Sequence, residues 1–381
     1  MSIEPRDLPV PSDDALAHSQ RLSDLIKSEI TANNGQITFN RFMHLCLYAS
    51  GLGYYSAGLN KFGEGGDFVT APEVSPLFSR CLARQCAEAG GDILEFGAGR
   101  GVMAADILLE LKAQNCLPDQ YFIMEVSADL KQRQREMIKQ MAPDCVERVV
   151  WLDQLPVSFS GVVLANEVLD AMPVHVFNIK DNNIGEQYVA WDGVGFVWQS
   201  GDISSDVLRT QVEELKPGLP DDYLSEVNLS VNGWINSIAA MMQKGMVLLI
   251  DYGYPRREYY HPQRISGTLL CHYLHRAHDN PLLWPGLQDI TAHVDFTAVA
   301  EAADEAGLSV DGFMTQAHFL MNSGIEQLMA SSMQDPVVMN QQVKRLILPD
   351  AMGEVFKVMV LSKKLETSIS GLTRFDMRSR L

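Results

Sequence analysis

The chain has 381 residues, 46% of them hydrophobic and 20% charged, with a formal net charge of −18. That length allows one large domain with insertions, or two domains sharing a cleft, and the composition is that of an ordinary globular protein. The acidic balance argues against a nucleic-acid partner, which needs a basic surface, and no apolar run approaches the roughly 20 residues that span a bilayer, so no membrane partner is expected.

The opening stretch, MSIEPRDLPVPSDD, has no apolar h-region and is not Arg-rich. It reads as a short disordered leader rather than a targeting signal. Residues 12 to 50 keep apolar side chains at helical spacing. Gly51 to Phe78 is dense in glycine and aromatic residues, the mark of a long loop with a function. From about residue 91, short apolar strands alternate with helices, as in a parallel α/β sheet. The expected strands are DILEF (92–96), YFIME (121–125), RVVWL (148–152), GVVLAN (161–166) and GMVLLIDYG (245–253), with helices over 101–114 and 127–141. An insertion follows the fourth strand, first alternating like β-hairpins and then helical in NLSVNGWINSIAAMMQKG. A Gly/His/Pro-rich loop over 254–292 leads to a helix beginning near His293. LSVDGFMTQAHFL then reads as an amphipathic helical region and EVFKVMVLSKK as the last strand. The fold expected is α/β, a Rossmann-like seven-stranded sheet whose last strand runs antiparallel, with a helical N-terminal region and an inserted α+β region.

The six cysteines, Cys46, Cys81, Cys86, Cys116, Cys145 and Cys271, form no CxxC pair. A reduced cytoplasmic setting is the simplest expectation. Cys271 with His272, His275 and His278 lacks the second, well-separated ligand pair of a tetrahedral site, so no metal is expected. The tryptophans 151, 191, 198 and 234 read as packing residues.

ILEFGAGRG (93–101) carries the chemistry. A dinucleotide loop, GxGxxG, aims helix N–H groups at a pyrophosphate. Here the spacing is GxGxG, and Glu95 stands two residues before the first glycine. A carboxylate there repels a pyrophosphate but suits an ammonium or a sulfonium. S-adenosylmethionine carries both and has no phosphate. Gly97, Gly99 and Gly101 let the backbone approach such a ligand, and Glu125, ending the second strand, suits its ribose hydroxyls. Glu95 and Glu125 as mere element caps is the plain alternative. Thr70 and Glu73, in the loop Gly66–Glu73, are candidate covering contacts, as is Asp67, which could equally be a turn residue. Asp153, directly after the third strand, and Asn166, ending the fourth, complete the cofactor set.

GDFVTAPEVSPLF (66–78), ILEFGAGRG, NEVLDAMPVHVF (166–177), IDYGY (250–254) and DITAHVDF (289–296) occur in this order. Together they resemble the MidA family of class I S-adenosylmethionine-dependent methyltransferases, whose mitochondrial members are complex I assembly factors. The resemblance covers about 60 to 300. It departs at Ala98, where many members carry proline, and at 168–170, where aromatic residues are frequent. It implies methylation of an arginine on a protein substrate. The corresponding division is 1–90 (helical region and cofactor-covering loop), 91–177 (first part of the cofactor core), 178–244 (inserted hairpins and helix) and 245–381 (second part, with substrate loop 254–292).

For that chemistry a guanidinium has to be gripped and its lone pair steered, which planar carboxylates do well. Asn166, Glu167 and Asp170 are the candidates at the reacting end, with Asp170 placed one helical turn from Asn166; capping of the following turn is the alternative role. Asp251 and Tyr252 stand where a substrate loop begins. His293 and Asp295 could orient or deprotonate the substrate, or cap the helix that follows. Two other functions compete. An NAD-dependent oxidoreductase should show longer glycine spacing and no Glu95, and a non-catalytic assembly factor that binds the cofactor should show degenerate motifs. The N-terminal helices and the hairpin insertion suit either a substrate groove or a homodimer contact.

Overall fold

The computed structural model describes residues 8–57, 69–332 and 334–381. The chain divides into two compact units of three segments each. The core unit comprises Val69–Leu169, Asn232–Pro255 and Val294–Leu381; the other comprises Met1–Phe68, Asp170–Val231 and Arg256–His293. These boundaries lie elsewhere than at 90, 177 and 244. The sequence marks where element types change, whereas a unit is defined by which faces bury one another.

Among the described residues the core unit holds seven main strands: β1 (Asp92–Phe96), β2 (Tyr121–Met124), β3 (Val149–Leu152), β4 (Phe159–Asn166), β5 (Met242–Tyr254), β6 (Ser309–Thr315) and β7 (Phe356–Lys363). Their order is β3-β2-β1-β4-β5-β7-β6, and a two-residue strand, Val294–Asp295, pairs with the end of β5. The first five run parallel, and β7 is antiparallel to both neighbours. The last strand in sequence thus inserts between the fifth and sixth. β4 and β5 are buried almost throughout, which is why they read as continuous apolar runs. Helices α2 (Val102–Ala113) and α3 (Ala128–Met141) fall where expected, whereas α1 (Pro76–Ala89) begins inside the stretch read as a loop. Leu82, Ile107, Leu108, Ile138, Leu164 and Leu248 belong to one buried cluster with the sheet.

LSVDGFMTQAHFL is not one helix. Its first half is β6, and only Gln316–Asn322 is helical, with Thr315 as N-cap accepting from the His318 N–H. Pairing with β7 overrides the helical periodicity, which a half-buried edge strand imitates over so short a run.

Two glycines fix the spacing at the amino-terminal edge of the sheet. Gly161 pairs with both Asp92 and Gly245. A Cβ on Gly161 would lie 1.9 Å from the Asp92 carbonyl oxygen, and one on Gly245 would lie 1.9 Å from the Gly161 oxygen. Both have positive φ, +146° and +132°. Gly161→Ala should therefore destabilise the protein by about 2–3 kcal/mol from backbone strain alone. Urea denaturation checks this; an unchanged midpoint would show that the strands can part at no cost.

In the second unit, helices Asp13–Ala32 and Phe39–Tyr48 pack with an antiparallel sheet of Gln36–Thr38, His175–Lys180, Asn183–Trp191, Phe196–Gly201 and Tyr223–Val227. Leu22, Ile26, Phe39, Phe42, Val176 and Val189 fill its core. The stretch 254–292, read as loop, contains a small sheet of Leu270–Tyr273, Arg276–His278 and Asp289–Thr291. Glu226, fully buried, fastens the preceding turn by accepting the backbone N–H groups of Thr268 and Leu269. Six glycines and prolines punctuate a segment whose strands are only three or four residues long, too short for a periodic signal.

Candidate functional site

The carboxyl ends of β2, β1, β4 and β5 lie side by side in the core unit. In an open parallel sheet, ligands bind outside these ends, where the strand order reverses. Here that point falls between β1 and β4.

β1 delivers Glu95, only 1% exposed. Its Oε2 accepts a 2.7 Å hydrogen bond from the Tyr121 hydroxyl, while Oε1 is buried with no partner among the described residues. Burial pushes this carboxyl up to about 7, against the pull of the Tyr121 hydrogen bond. The loop that follows has Gly97, Gly99 and Gly101 at φ +64°, +52° and +86°, the left-handed region glycine enters without strain. A Cβ at Gly99 would meet no atom of the described residues within 4 Å, so its conformation, and not crowding by them, calls for glycine. Gly97 lies under Val168, whose Cγ2 would be 3.1 Å from an added Cβ.

Glu125 follows β2 and is 9% exposed. Its Oε1 accepts the Ser127 N–H (2.8 Å) and its Oε2 a hydrogen bond from Gln134 (3.2 Å). Burial raises its pKa, and these hydrogen bonds oppose the rise. Gln134 and its partner Trp151 (2.8 Å) went unnoticed in the sequence as site residues. The one trace is an uncharged polar residue on the buried face of α3, four before Ile138.

β4 ends in Asn166, and the chain turns at once. Glu167 has φ +54°, unusual for a residue with a side chain. Its N–H donates to the Ile250 carbonyl (2.9 Å), and Asn166 Nδ2 donates to its Oε1 (3.1 Å). Asp251, 1% exposed on β5, secures the turn: its Oδ2 accepts the N–H groups of Val168 (3.2 Å) and Leu169 (2.9 Å). Asp251 thus acts on the backbone of the NEVLD turn, a role its place in the sequence does not reveal. The segment is a bend and not a helix, so the helical spacing expected between Asn166 and Asp170 does not hold. The left-handed residue at 167 breaks it.

The other candidates are dispersed. Thr70 is the N-cap residue of the short helix Ala71–Val74, but its hydroxyl makes no capping bond. Glu73, largely buried, pairs with Arg100 of the glycine loop at 3.7 Å. Burial raises its pKa and Arg100 opposes this. Asp153 is exposed at the end of β3 and ion-paired with Lys131 of α3. Asp170 and His293 belong to the second unit. Asp170 is buried, its carbonyl accepting the Ala292 N–H (3.0 Å), and the His293 N–H donates to the Thr268 hydroxyl (3.0 Å). Asp295 is a helix cap: it accepts from Thr297 and Ala298 at the start of Phe296–Glu305. Gly66 and Asp67 lie outside the described residues. Among the described residues no group of histidine, cysteine and carboxylate side chains is arranged to hold a metal.

The buried, unpartnered Glu95 oxygen and the open face of Gly99 fit a ligand that is cationic near β1 and approached closely by backbone. Residues 77–314 match the family described as "Putative S-adenosyl-L-methionine-dependent methyltransferase". The chain belongs to this methyltransferase family. A likely methyl transferase from Burkholderia thailandensis, crystallised with S-adenosyl-homocysteine bound, is 41% identical, with a TM-score of 0.94 over 98% of this chain and 100% of that one. The protein arginine methyltransferase NDUFAF7 of Danio rerio is 28% identical over 87% of this chain and 84% of its own length. The Homo sapiens NDUFAF7 is 27% identical over 86% and 80%. The sheet order and the antiparallel seventh strand are those expected of a class I methyltransferase. One expectation fails. These curated relatives, with those of fly and worm, are named mitochondrial, which overturns the cytoplasmic setting drawn from the cysteines. All six are free thiols, which does not name a compartment.

Proposed function

We propose that this methyltransferase carries a methyl group from S-adenosylmethionine to an arginine side chain of a protein. The observation that carries the reading is the pairing of two buried carboxylates, Glu95 and Glu125, at the ends of adjacent strands with the glycine loop between them. When bound, the cofactor supplies an electrophilic methyl group on sulfur. Glu95 faces its positive charge, Glu125 its ribose hydroxyls, and Thr70 and Asp153 flank it. The curated relatives' name, together with their coverage of most of this chain, supports arginine as the acceptor.

At the reacting end, Glu167 grips the guanidinium, and Asn166 holds the Glu167 carboxylate in place. A carboxylate that pairs two guanidinium nitrogens leaves the third oriented for in-line attack.

Calorimetric titration with S-adenosylhomocysteine, run beside NADH, tests the cofactor. Micromolar binding is expected for the first alone. Glu125→Ala should weaken it about 10- to 100-fold, the value of one or two hydrogen bonds to a charged group. Tight NADH binding without it would instead support an oxidoreductase. Transfer of labelled methyl to arginine-containing peptides, and not to the same peptides with lysine, tests the acceptor; binding without any transfer would favour the non-catalytic assembly factor.

A further inference from the structure

Gln134 is fully buried on α3, and its three hydrogen bonds join parts that the cofactor reading treats separately. Nε2 donates to the Gly99 carbonyl of the glycine loop (3.0 Å) and to Glu125 Oε2 (3.2 Å). Oε1 accepts from the Trp151 indole at the end of the sheet (2.8 Å). An indole N–H only donates, so Trp151 dictates which way the amide points: its oxygen toward β3, and both its hydrogens toward the loop and the carboxylate. The helix is seated for this, since a Cβ on Gly101 would come within 3.2 Å of the Gln134 Cα.

The consequence lies in the lone pairs of Glu125. An ionised carboxylate has about four acceptor positions. Ser127 N–H takes one on Oε1 and Gln134 one on Oε2, and the Val126 N–H also bears on the group, so the carboxylate is held in one orientation with acceptor capacity left over. Two neighbouring hydroxyls on one ring are the matching donor set.

We infer that Gln134 is a positioning residue that sets Glu125 for a vicinal diol, with Trp151 orienting the amide. This deepens the cofactor reading and rests on it. A merely structural glutamine would affect all adenosyl ligands alike. A positioning one matters only when the ribose hydroxyls are present.

The test is calorimetry on the full chain with two ligands, 5′-methylthioadenosine and its 2′,3′-dideoxy counterpart. Q134L should weaken the first at least tenfold and change the second by less than twofold. W151F keeps the ring and removes the donor, and should show the same selectivity at about three- to tenfold. It serves if Q134L does not fold. Q134E sets a second carboxyl against Glu125, so its affinity for the diol ligand should recover as pH falls and that carboxyl takes up a proton. Equal losses for both ligands, or Q134L at wild-type affinity, would overturn the inference while leaving the cofactor reading intact. If the wild-type protein binds neither S-adenosylhomocysteine nor methylthioadenosine, the cofactor reading fails and this inference with it.

Discussion

Glu167→Gln should lower methyl transfer about 100- to 1,000-fold while S-adenosylhomocysteine affinity stays within about twofold. The first figure is the usual cost of removing one group that stabilises charge at a reacting centre. The second follows because Glu167 lies on the turn after β4, whereas the proposed cofactor contacts Glu95 and Glu125 lie at the ends of β1 and β2. Glutamine keeps the shape and can still accept from Asn166, so the loss would report charge and not packing. A companion variant separates backbone from side chain. The φ of +54° costs a non-glycine residue energy that glycine does not incur. Glu167→Gly should therefore leave stability unchanged or raise it by up to about 1 kcal/mol, and still abolish transfer. A protein that tolerates a strained residue where glycine would relax it retains the side chain for another reason. Steady-state rates with separate binding measurements decide this. If the glutamine variant loses cofactor affinity and rate together, Glu167 contributes to cofactor binding instead of gripping the acceptor.

The second large effect concerns Glu95 and pH. Its folded-state pKa of about 7 stands well above the ordinary carboxylate value of 4.5. Between these values the folded protein holds a proton that the unfolded chain has lost. Stability of the ligand-free protein should then be greatest at the acid end of that window and fall as pH rises through it, by roughly 3 kcal/mol in all. Bound cation reverses the preference, because it favours the ionised carboxylate. Affinity for S-adenosylhomocysteine, which carries an ammonium, should drop about fivefold from pH 7 to pH 6. Glu95→Gln should bind more weakly and lack both slopes. Denaturant midpoints and titrations across pH 5 to 8 measure the two together. Identical pH slopes in wild type and variant would remove Glu95 from the account.

Much of the core unit was legible in the sequence. β1 was placed residue for residue, and β2 to β5 were found within a few residues of their ends, because strands buried on both faces must be continuously apolar and short. β6 was missed. It is an edge strand, and its alternation is too brief to tell from one face of a helix. Glu95, Gly97, Gly99 and Gly101 sit close together in sequence on a strand and the loop after it, so spacing alone proposes them as a ligand loop, and Glu125 is proposed from its place at the next strand's end. Asp251 was seen but not understood, since its partners are backbone N–H groups more than eighty residues away. Gln134 was not seen, and Trp151 was read only as a packing residue, since their hydrogen bond joins a helix to a strand.

By itself the sequence determined the fold class and the glycine loop after the first core strand, for these depend on local backbone conformation and on burial repeated along the chain. The tertiary structure alone decided the assignment of segments to units, the left-handed turn at Glu167 with Asp251 behind it, and the amide that joins Gly99 to Glu125. Each of those depends on a hydrogen bond or a buried face shared by segments far apart in the chain, and no local pattern encodes which distant groups will meet.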